Sequence, residues 1–515
     1  MLARVFWGFL TFTLCVATAA AREFTVVVYN VENLFDADGR AIYDDYQPDR
    51  YTPLHLRTKV LNIAEVLSRF DDGAGPDIIL FQEIEIDHTR RSPARGELSS
   101  WLKQHAGTTV RDLLARGELS AELADVPAEG WLLKALADRG MTGYEVVAGD
   151  EGSAPHEDGN TRAIKCVTFS RFPVRAVRQF PLENARNLVE VELDVDGAKL
   201  HVFNTHWKSG ASDPALEPVR VSNAQVLRSR LDELLRDDPH ADVIIGGDFN
   251  SQHNQKQRYP AMARTGINDV LRSQGNELAV RGAKRDLYNL WFELPPEQRG
   301  SDTYRGEWGT LIQLIITRGL YDYRGIQYVD NSFGVGRFSG LNVDAGGAPV
   351  RWDGGGPAGA GYSDHLPIYA RFRTVDDNRV DRWISLTRPS QTESDSSVRR
   401  VSYDHVDPAA ISIDLASLPA DVRLRDGSWS GKLFRVEGES VPDRHPRVRV
   451  RGEEYEVYGV DDATRDRLYT QRESGRLQFY GELGTFKGRW QFVVRSPSWV
   501  LSSAANVGGK SSNRR

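Results

Sequence analysis

Cysteine is nearly absent: the 515-residue chain has two, Cys15 and Cys166. Cys15 lies inside an N-terminal leader, so the mature chain retains one thiol and cannot close an internal disulfide. Cys166 sits in the apolar run 164–169, where a buried packing thiol fits better than a nucleophile. Long hydrophobic runs are scarce as well. The one example, Val5 to Val16, follows Arg4 and ends in small residues at 17–21, and it is short for a membrane span. It reads as a secretory signal peptide over residues 1–21 with cleavage before Arg22, so the expected location is secreted or periplasmic, with no stable membrane association. No charge sign dominates, because 65 Lys+Arg against 72 Asp+Glu leave a net charge of -7. That balance excludes a polycationic nucleic-acid coat, although not a local basic groove. With 40% hydrophobic residues the chain is too apolar to be disordered, and 46 Gly and 23 Pro are too few for a collagen-like or low-complexity chain.

Hydrophobic periodicity predicts short strands alternating with helices. Residues 24–29 are β-rich, 58–70 carry helical spacing, and 77–81 form a continuous apolar strand buried on both faces. Residues 187–205 alternate around an Asp196-Gly197 turn and predict a β-hairpin. An amphipathic helix over 219–235 and a buried strand at 242–247 follow. The pattern implies an α/β fold in which a two-sheet core is covered by helices. Residues 89–142 read as a helix-prone insertion, and the glycine-rich stretch 346–361 as a mobile loop. A catalytic domain is expected over 22–375, a polar, Ser-rich linker over 376–402, a small all-β domain over 403–500 and a disordered tail over 501–515.

Polar residues stand directly after the apolar runs. Asn30 and Glu32 follow the first, Glu83 the second, Asn204 and His206 the hairpin, and Asp248 and Asn250 the strand at 242–247, while Asp364 and His365 precede a last apolar run. Any one of these is an ordinary loop former. If the strand ends converge, however, they make a cleft of carboxylates, amides and two histidines without a Cys ligand. Hard oxygen donors suit Mg²⁺, with Mn²⁺ or Ca²⁺ as alternatives, and the fitting chemistry is phosphoester hydrolysis by a metal-activated water.

Asn30-Val31-Glu32-Asn33, Gln82-Glu83, Asn204-Thr205-His206, Gly247-Asp248-Phe249-Asn250 and Ser363-Asp364-His365, in this order, resemble the motifs of the endonuclease/exonuclease/phosphatase superfamily. The resemblance spans residues 24–373 and implies a four-layer α/β sandwich with its site at one edge of two packed sheets. It implies Glu83 as the main Mg²⁺ ligand, supported by Asn30 and Glu32, with Asp364 beside the metal. Asp248 would orient or deprotonate the attacking water, Asn250 would hold it or a phosphate oxygen, His365 would stabilise the transition state, and His206 would assist the leaving oxygen. Arg162 and Lys208, with Asn204, are candidate contacts to the substrate phosphate. One position departs from the pattern: Ile312 stands where the family places an Asp that buttresses the catalytic His. Reduced rather than absent activity is the expectation.

The segment 475–497 interleaves aromatic and basic residues and resembles the closing hairpin of an OB-fold nucleic-acid-binding domain. The sequence reading is therefore a secreted, metal-dependent nuclease or phosphodiesterase acting on nucleic acid, DNA ahead of RNA, with the C-terminal barrel helping to hold it. Two alternatives stay open: a phosphatase or phosphodiesterase of lipid or inositol phosphates, and a catalytically weakened nucleic-acid-binding protein. Oligomeric state is not legible.

Overall fold

The structure, a computed structural model, describes residues 21–88, 95–115, 118–150, 162–486 and 488–501. The expected signal peptide and C-terminal tail lie outside the described residues apart from Ala21 and Leu501.

The chain begins with β1 (Glu23–Leu34), helix α1 (Pro53–Leu67) and β2 (Ile78–Glu85). Four helices then lie between Arg95 and Ala137, where the helical insertion was expected. They are followed by β3 (Glu145–Ala148), β4 (Ile164–Ser170), β5 (Val174–Phe180), β6 (Arg186–Val195) and β7 (Ala198–His206). Helix α2 (Glu217–Asp237) leads to β8 (Val243–Asp248), β9 (Ser273–Gln274), β10 (Leu287–Asn289), β11 (Asp302–Tyr304), β12 (Glu307–Gly309) and β13 (Ile312–Ile316). Strands β14 (Asp322–Tyr328), β15 (Gly334–Val335) and β16 (Ile368–Trp383) complete this part. Two seven-stranded sheets result: β14-β16-β1-β2-β4-β3 with β15 on β16, and β5-β6-β7-β8-β13-β10-β9.

Strand alternation explains the layering. Val26 and Val28 of β1, Ile78 and Leu80 of β2, and Ile244 of β8 enter the core between the two sheets. Their neighbours Val27, Tyr29, Ile79 and Phe81 face the other way, onto Val60 and Ile63 of α1 and Trp131 of the insertion. Val243 and Ile245 pack outward against Leu227 and Leu231 of α2. Both faces of the central strands are buried, which is why their sequences are unbroken apolar runs. The architecture is the expected α/β sandwich of stacked mixed sheets between helices.

The linker reading fails at residues 376–402. Strand β16 runs through Trp383 and pairs with β14 out to Asp322↔Trp383. Its distal half is polar, with Arg379 and Asp381 forming an exposed ion pair, so hydrophobicity did not reveal it. The following segment is strapped to the catalytic domain by backbone hydrogen bonds, among them Ile384 N to Tyr321 O, Glu277 N to Ser390 O and Trp308 N to Arg399 O.

The C-terminal domain contains β17 (Ile413–Asp414), β18 (Leu433–Ser440), β19 (Arg447–Val450), β20 (Glu453–Gly459), helix α3 (Asp462–Arg472), β21 (Arg476–Phe486) and β22 (Arg489–Val494). Strands β18-β19-β20-β22-β21 close into a five-stranded barrel through the β18–β21 pairing. Phe434, Tyr455, Phe479 and Phe492 fill its interior. The barrel grips the glycine-rich loop: Thr485 N donates to Asp353 Oδ2 at 2.9 Å and Ser430 Oγ donates to the same oxygen at 2.6 Å. On the other side of the loop, Asn62 Nδ2 donates to Gly361 O at 2.8 Å. The stretch expected to be mobile is thus fastened at its middle, Asp353, and at its end, Gly361.

Gly247, in the left-handed half of backbone space at φ 149, has no room for a side chain. A Cβ there would fall 2.0 Å from the Thr205 carbonyl oxygen of the paired strand. We expect Gly247→Ala to destabilise the fold by about 2–3 kcal/mol in urea unfolding; an unchanged midpoint would contradict this close approach of β7 and β8.

Candidate active site

The site is built by register. On the second sheet His206 of β7 pairs with Asp248 of β8, and Asp248 pairs with Ile312 of β13, so three adjacent strands end side by side. On the first sheet Asn30 pairs with Gln82, one residue before Glu83. The ladder slips between Phe81 and Ile84, and Glu83 takes φ 65 within that bulge. Glu32 (φ 51), Asn33 (φ 59) and Asn250 (φ 46) are also left-handed. Such backbone costs about 1–3 kcal/mol per residue and clusters where side chains must be aimed.

Asn30 joins the sheets. Its buried amide donates to Glu83 Oε1 and to Asp248 Oδ2, both at 3.0 Å, and its Oδ1 accepts from Glu32 N at 3.0 Å. His206 Nε2 lies 3.6 Å from Asp248 Oδ2 and 3.9 Å from Glu83 Oε1. His365 Nε2 lies 3.8 Å from both Asp248 Oδ2 and Asp364 Oδ1. Ser363 is structural: its hydroxyl donates to Asn30 O and accepts from His365 N. Asn250 N donates to Asp248 Oδ1 at 2.8 Å, while the Asn250 amide donates to Trp207 O at 3.1 Å.

The two histidines are driven apart. Burial, then Arg186 and His365, hold the His206 imidazole well below its usual value. Burial would lower His365 too, but Asp364, Asp248, Asp302 and Glu83 outweigh it and raise the ring to about 9. At neutral pH one ring is neutral and the other cationic, the pairing expected of a base and an acid. Burial first, and then Asp364, pushes Glu83 up to about 7.

Ligand atoms of Glu83, His206 and Asp248 lie within 4.8 Å of one another. Ligands at about 2.0–2.5 Å from one ion span such distances, so this donor set of carboxylate oxygens and one imidazole fits a divalent cation. Unneutralised carboxylates at that separation repel by roughly 3 kcal/mol at an effective dielectric near 20, which one shared amide does not remove.

Other expected residues sit differently. Both Glu32 oxygens are occupied, Oε1 by Arg351 and Oε2 by Trp352 N at 2.8 Å. This makes Glu32 the anchor of Arg351, which also reaches Asp364 Oδ2 at 3.4 Å. Asn204 is fully buried between the sheets, with its amide donating to Phe81 O and Val167 O and its Oδ1 accepting from Gln82. It is an inter-sheet clamp and not a phosphate contact. Arg162 and Lys208 do come together, with Arg186, around a pocket of about 260 Å³.

Four functional candidates escaped the sequence reading. Arg186 pairs with His206 across the predicted hairpin, but only after a one-residue slip in the ladder. Arg351 comes from the glycine-rich loop, and buried Lys59 of α1 donates to Glu32 O at 2.6 Å. Asp302 forms a backbone bridge with His365 and is among the groups that raise it. Ile312 is buried in the inter-sheet core, and His365 Nδ1 has no hydrogen-bond partner. A carboxylate therefore reaches this histidine from β11 by charge, without the hydrogen bond that an Asp at 312 was expected to make.

Residues 165–374 match the Endonuclease/Exonuclease/phosphatase family. Members are metal-dependent phosphodiesterases and nucleases. The truncated TDP2 of Caenorhabditis elegans is 17% identical, with 68% of this chain and 97% of that one covered and a TM-score of 0.35. A Bacteroides thetaiotaomicron protein of the family is 13% identical over 70% and 100% of the two chains, with a TM-score of 0.36. The human Nocturnin catalytic domain is 15% identical over 68% and 95%, with a TM-score of 0.35. No curated protein matches the chain.

At Glu83, protons and cations compete. With its carboxyl raised to about 7, the side chain is protonated below that pH and free to bind above it. Mn²⁺ affinity, titrated calorimetrically between about pH 5.5 and 8, should rise with pH by up to tenfold per unit and level off above about 7. A flat profile would show that Glu83 does not bind the ion.

Proposed function

We propose that this domain hydrolyses phosphodiester bonds in nucleic acid, DNA ahead of RNA, with Mg²⁺ as the working cation. The observation that carries the reading is the Glu83–His206–Asp248 cluster, bridged by Asn30 and accompanied by a pocket that Arg162, Arg186 and Lys208 line. A cation held at Glu83 and Asp248 would neutralise phosphate charge and lower the pKa of bound water. Asp248 would orient the attacking water, and the Asx turn to Asn250 N, which fixes its carboxylate, supports that role. Cationic His365 stabilises the extra negative charge on the phosphate oxygens and carries a proton that the leaving oxygen can take, while neutral His206 is available as a base for the proton of the attacking water. The three cations of the adjoining pocket suit a substrate with phosphates on both sides of the cut.

The C-terminal barrel is assigned a supporting hold on the strand. Many of its arginines are neutralised on the barrel itself, as in Arg449–Glu454, Arg476–Glu437 and Arg489–Glu456. The support for binding there is exposed Tyr458, which offers a face for stacking. The N-terminal leader supports export. Among the described residues no helix is long and apolar enough to cross a membrane.

The mature chain should nick plasmid DNA in Mg²⁺ or Mn²⁺ and lose that activity in a chelator. Asp248→Ala and His365→Ala should each reduce it by about 10²–10⁴-fold. Release of phosphocholine from sphingomyelin, or of phosphate from inositol phosphates, without DNA cleavage would overturn the nuclease reading, and nucleic-acid binding without turnover would overturn the catalytic one.

A further inference from the structure

A second carboxylate cluster shares no residue with the first. Glu277, Glu293 and Asp330 present oxygens that lie within 4.8 Å of one another. They converge beside Tyr288, which pairs with Ile316 at the end of β13 opposite Ile312. Four residues of strand separate the two levels, roughly 13 Å.

Each carboxylate has one oxygen held from outside. Tyr321 Oη donates to Glu277 Oε1 at 2.8 Å, Tyr328 Oη donates to Glu293 Oε2, and Thr387 N donates to Asp330 Oδ2 at 2.8 Å. The other oxygens of two of them, Glu293 Oε1 and Asp330 Oδ1, are buried without a hydrogen-bond partner. Independently of the acids, the hydroxyl of Tyr288 is also unpartnered, although the residue is 0% exposed. Among charges, Glu293 and then Glu277 act most strongly on that hydroxyl, and the Ser390 side chain lies beside it. Buried polar atoms without partners are rare, and several converging on one point call for a missing group.

No protein cation fills the role. Arg281 acts on Glu277 by charge, but its guanidinium donates to Ile384 O at 2.8 Å and stacks 5.0 Å from the Tyr321 ring centre. Among the described residues it forms no ion pair with any of the three acids. Burial outweighs the opposing hydrogen bonds of Tyr321 and Tyr328 and pushes Glu277 to about 7 and Glu293 to about 8.

We propose that Glu277, Glu293 and Asp330 form a structural site for a hard divalent cation of the calcium type. Three carboxylate oxygens, each oriented by a donor on its other side, are what such an ion takes. The remaining positions go to water, one of which would accept from Tyr288. The site also explains why the segment after β16 lies on the catalytic domain. Ser390 O accepts from Glu277 N, and Thr387 N donates to Asp330, so the ion would lock the strap that leads to the barrel.

The test uses the full mature chain, Ca²⁺, and two variants. In calorimetry and thermal unfolding, Ca²⁺ should bind wild type and raise its Tm. Glu293→Gln should weaken that binding at least tenfold and abolish the Tm rise, while Mg²⁺-dependent turnover stays within about twofold of wild type. Glu83→Gln, at the other cluster, should keep the Tm rise. Tb³⁺ luminescence excited through the surrounding tyrosines should fall in Glu293→Gln and not in Glu83→Gln. Should Glu293→Gln fold poorly, Asp330→Asn serves the same comparison. Equal Ca²⁺ responses in wild type and Glu293→Gln, or loss of the response only in Glu83→Gln, would overturn the proposal, and so would absence of any Ca²⁺ binding.

Discussion

The amide of Asn30 is the constraint on which the site depends. Its two N–H groups satisfy a carboxylate from each sheet, Glu83 on β2 and Asp248 on β8, and its oxygen holds the backbone of the next turn at Glu32. The sandwich brings two acids close enough to repel, and this one donor keeps them converged until a cation arrives. The same β1 residue accepts from Ser363, which sets the backbone of His365. Metal-facing acids and a phosphate-facing histidine are thus referenced to a single point in the inter-sheet seam.

Below that point the structure supplies rigidity. Asn204 and Gln82 repeat the inter-sheet amide link one layer down, and the tightly opposed Thr205 and Gly247 leave no slack between β7 and β8. Above it, Glu32 and Asp364 are bridged by Arg351 from a loop whose Asp353 is held by the barrel. The C-terminal domain is therefore mechanically continuous with the rim of the catalytic centre, whatever it does for substrate affinity. Left-handed backbone at Glu32, Glu83 and Asn250 is concentrated here because strand ladders must break to turn polar side chains into the seam.

Much of this was legible in the sequence, for a physical reason. Central strands buried on both faces are unbroken apolar runs, so the polar residue that ends each run marks the sheet edge, and Glu83, His206, Asp248 and His365 converge there. The same logic did not show which way Asn204 and Glu32 turn. A polar side chain at a strand end can point into the seam or into a neighbouring loop, and spacing does not say which. Arg186 was hidden by a single slip in the hairpin register, and Arg351, Lys59 and Asp302 by arriving from a loop, a helix face and a short hairpin. The strap after β16 was read as a linker because it is held by backbone hydrogen bonds and by polar pairs such as Asp395 with Arg299 and Arg400 with Glu307, which look like solvated polar residues in the sequence.

The central claim is that two sheets, joined through Asn30, assemble one cation centre at Glu83 and Asp248, with His206 beside it. The most direct measurement is anomalous diffraction from a crystal of the mature protein soaked in Mn²⁺. The account predicts a peak within coordination distance of the Glu83 and Asp248 carboxylates. A peak confined to other acidic groups, or none at this cluster at saturating Mn²⁺, would contradict it.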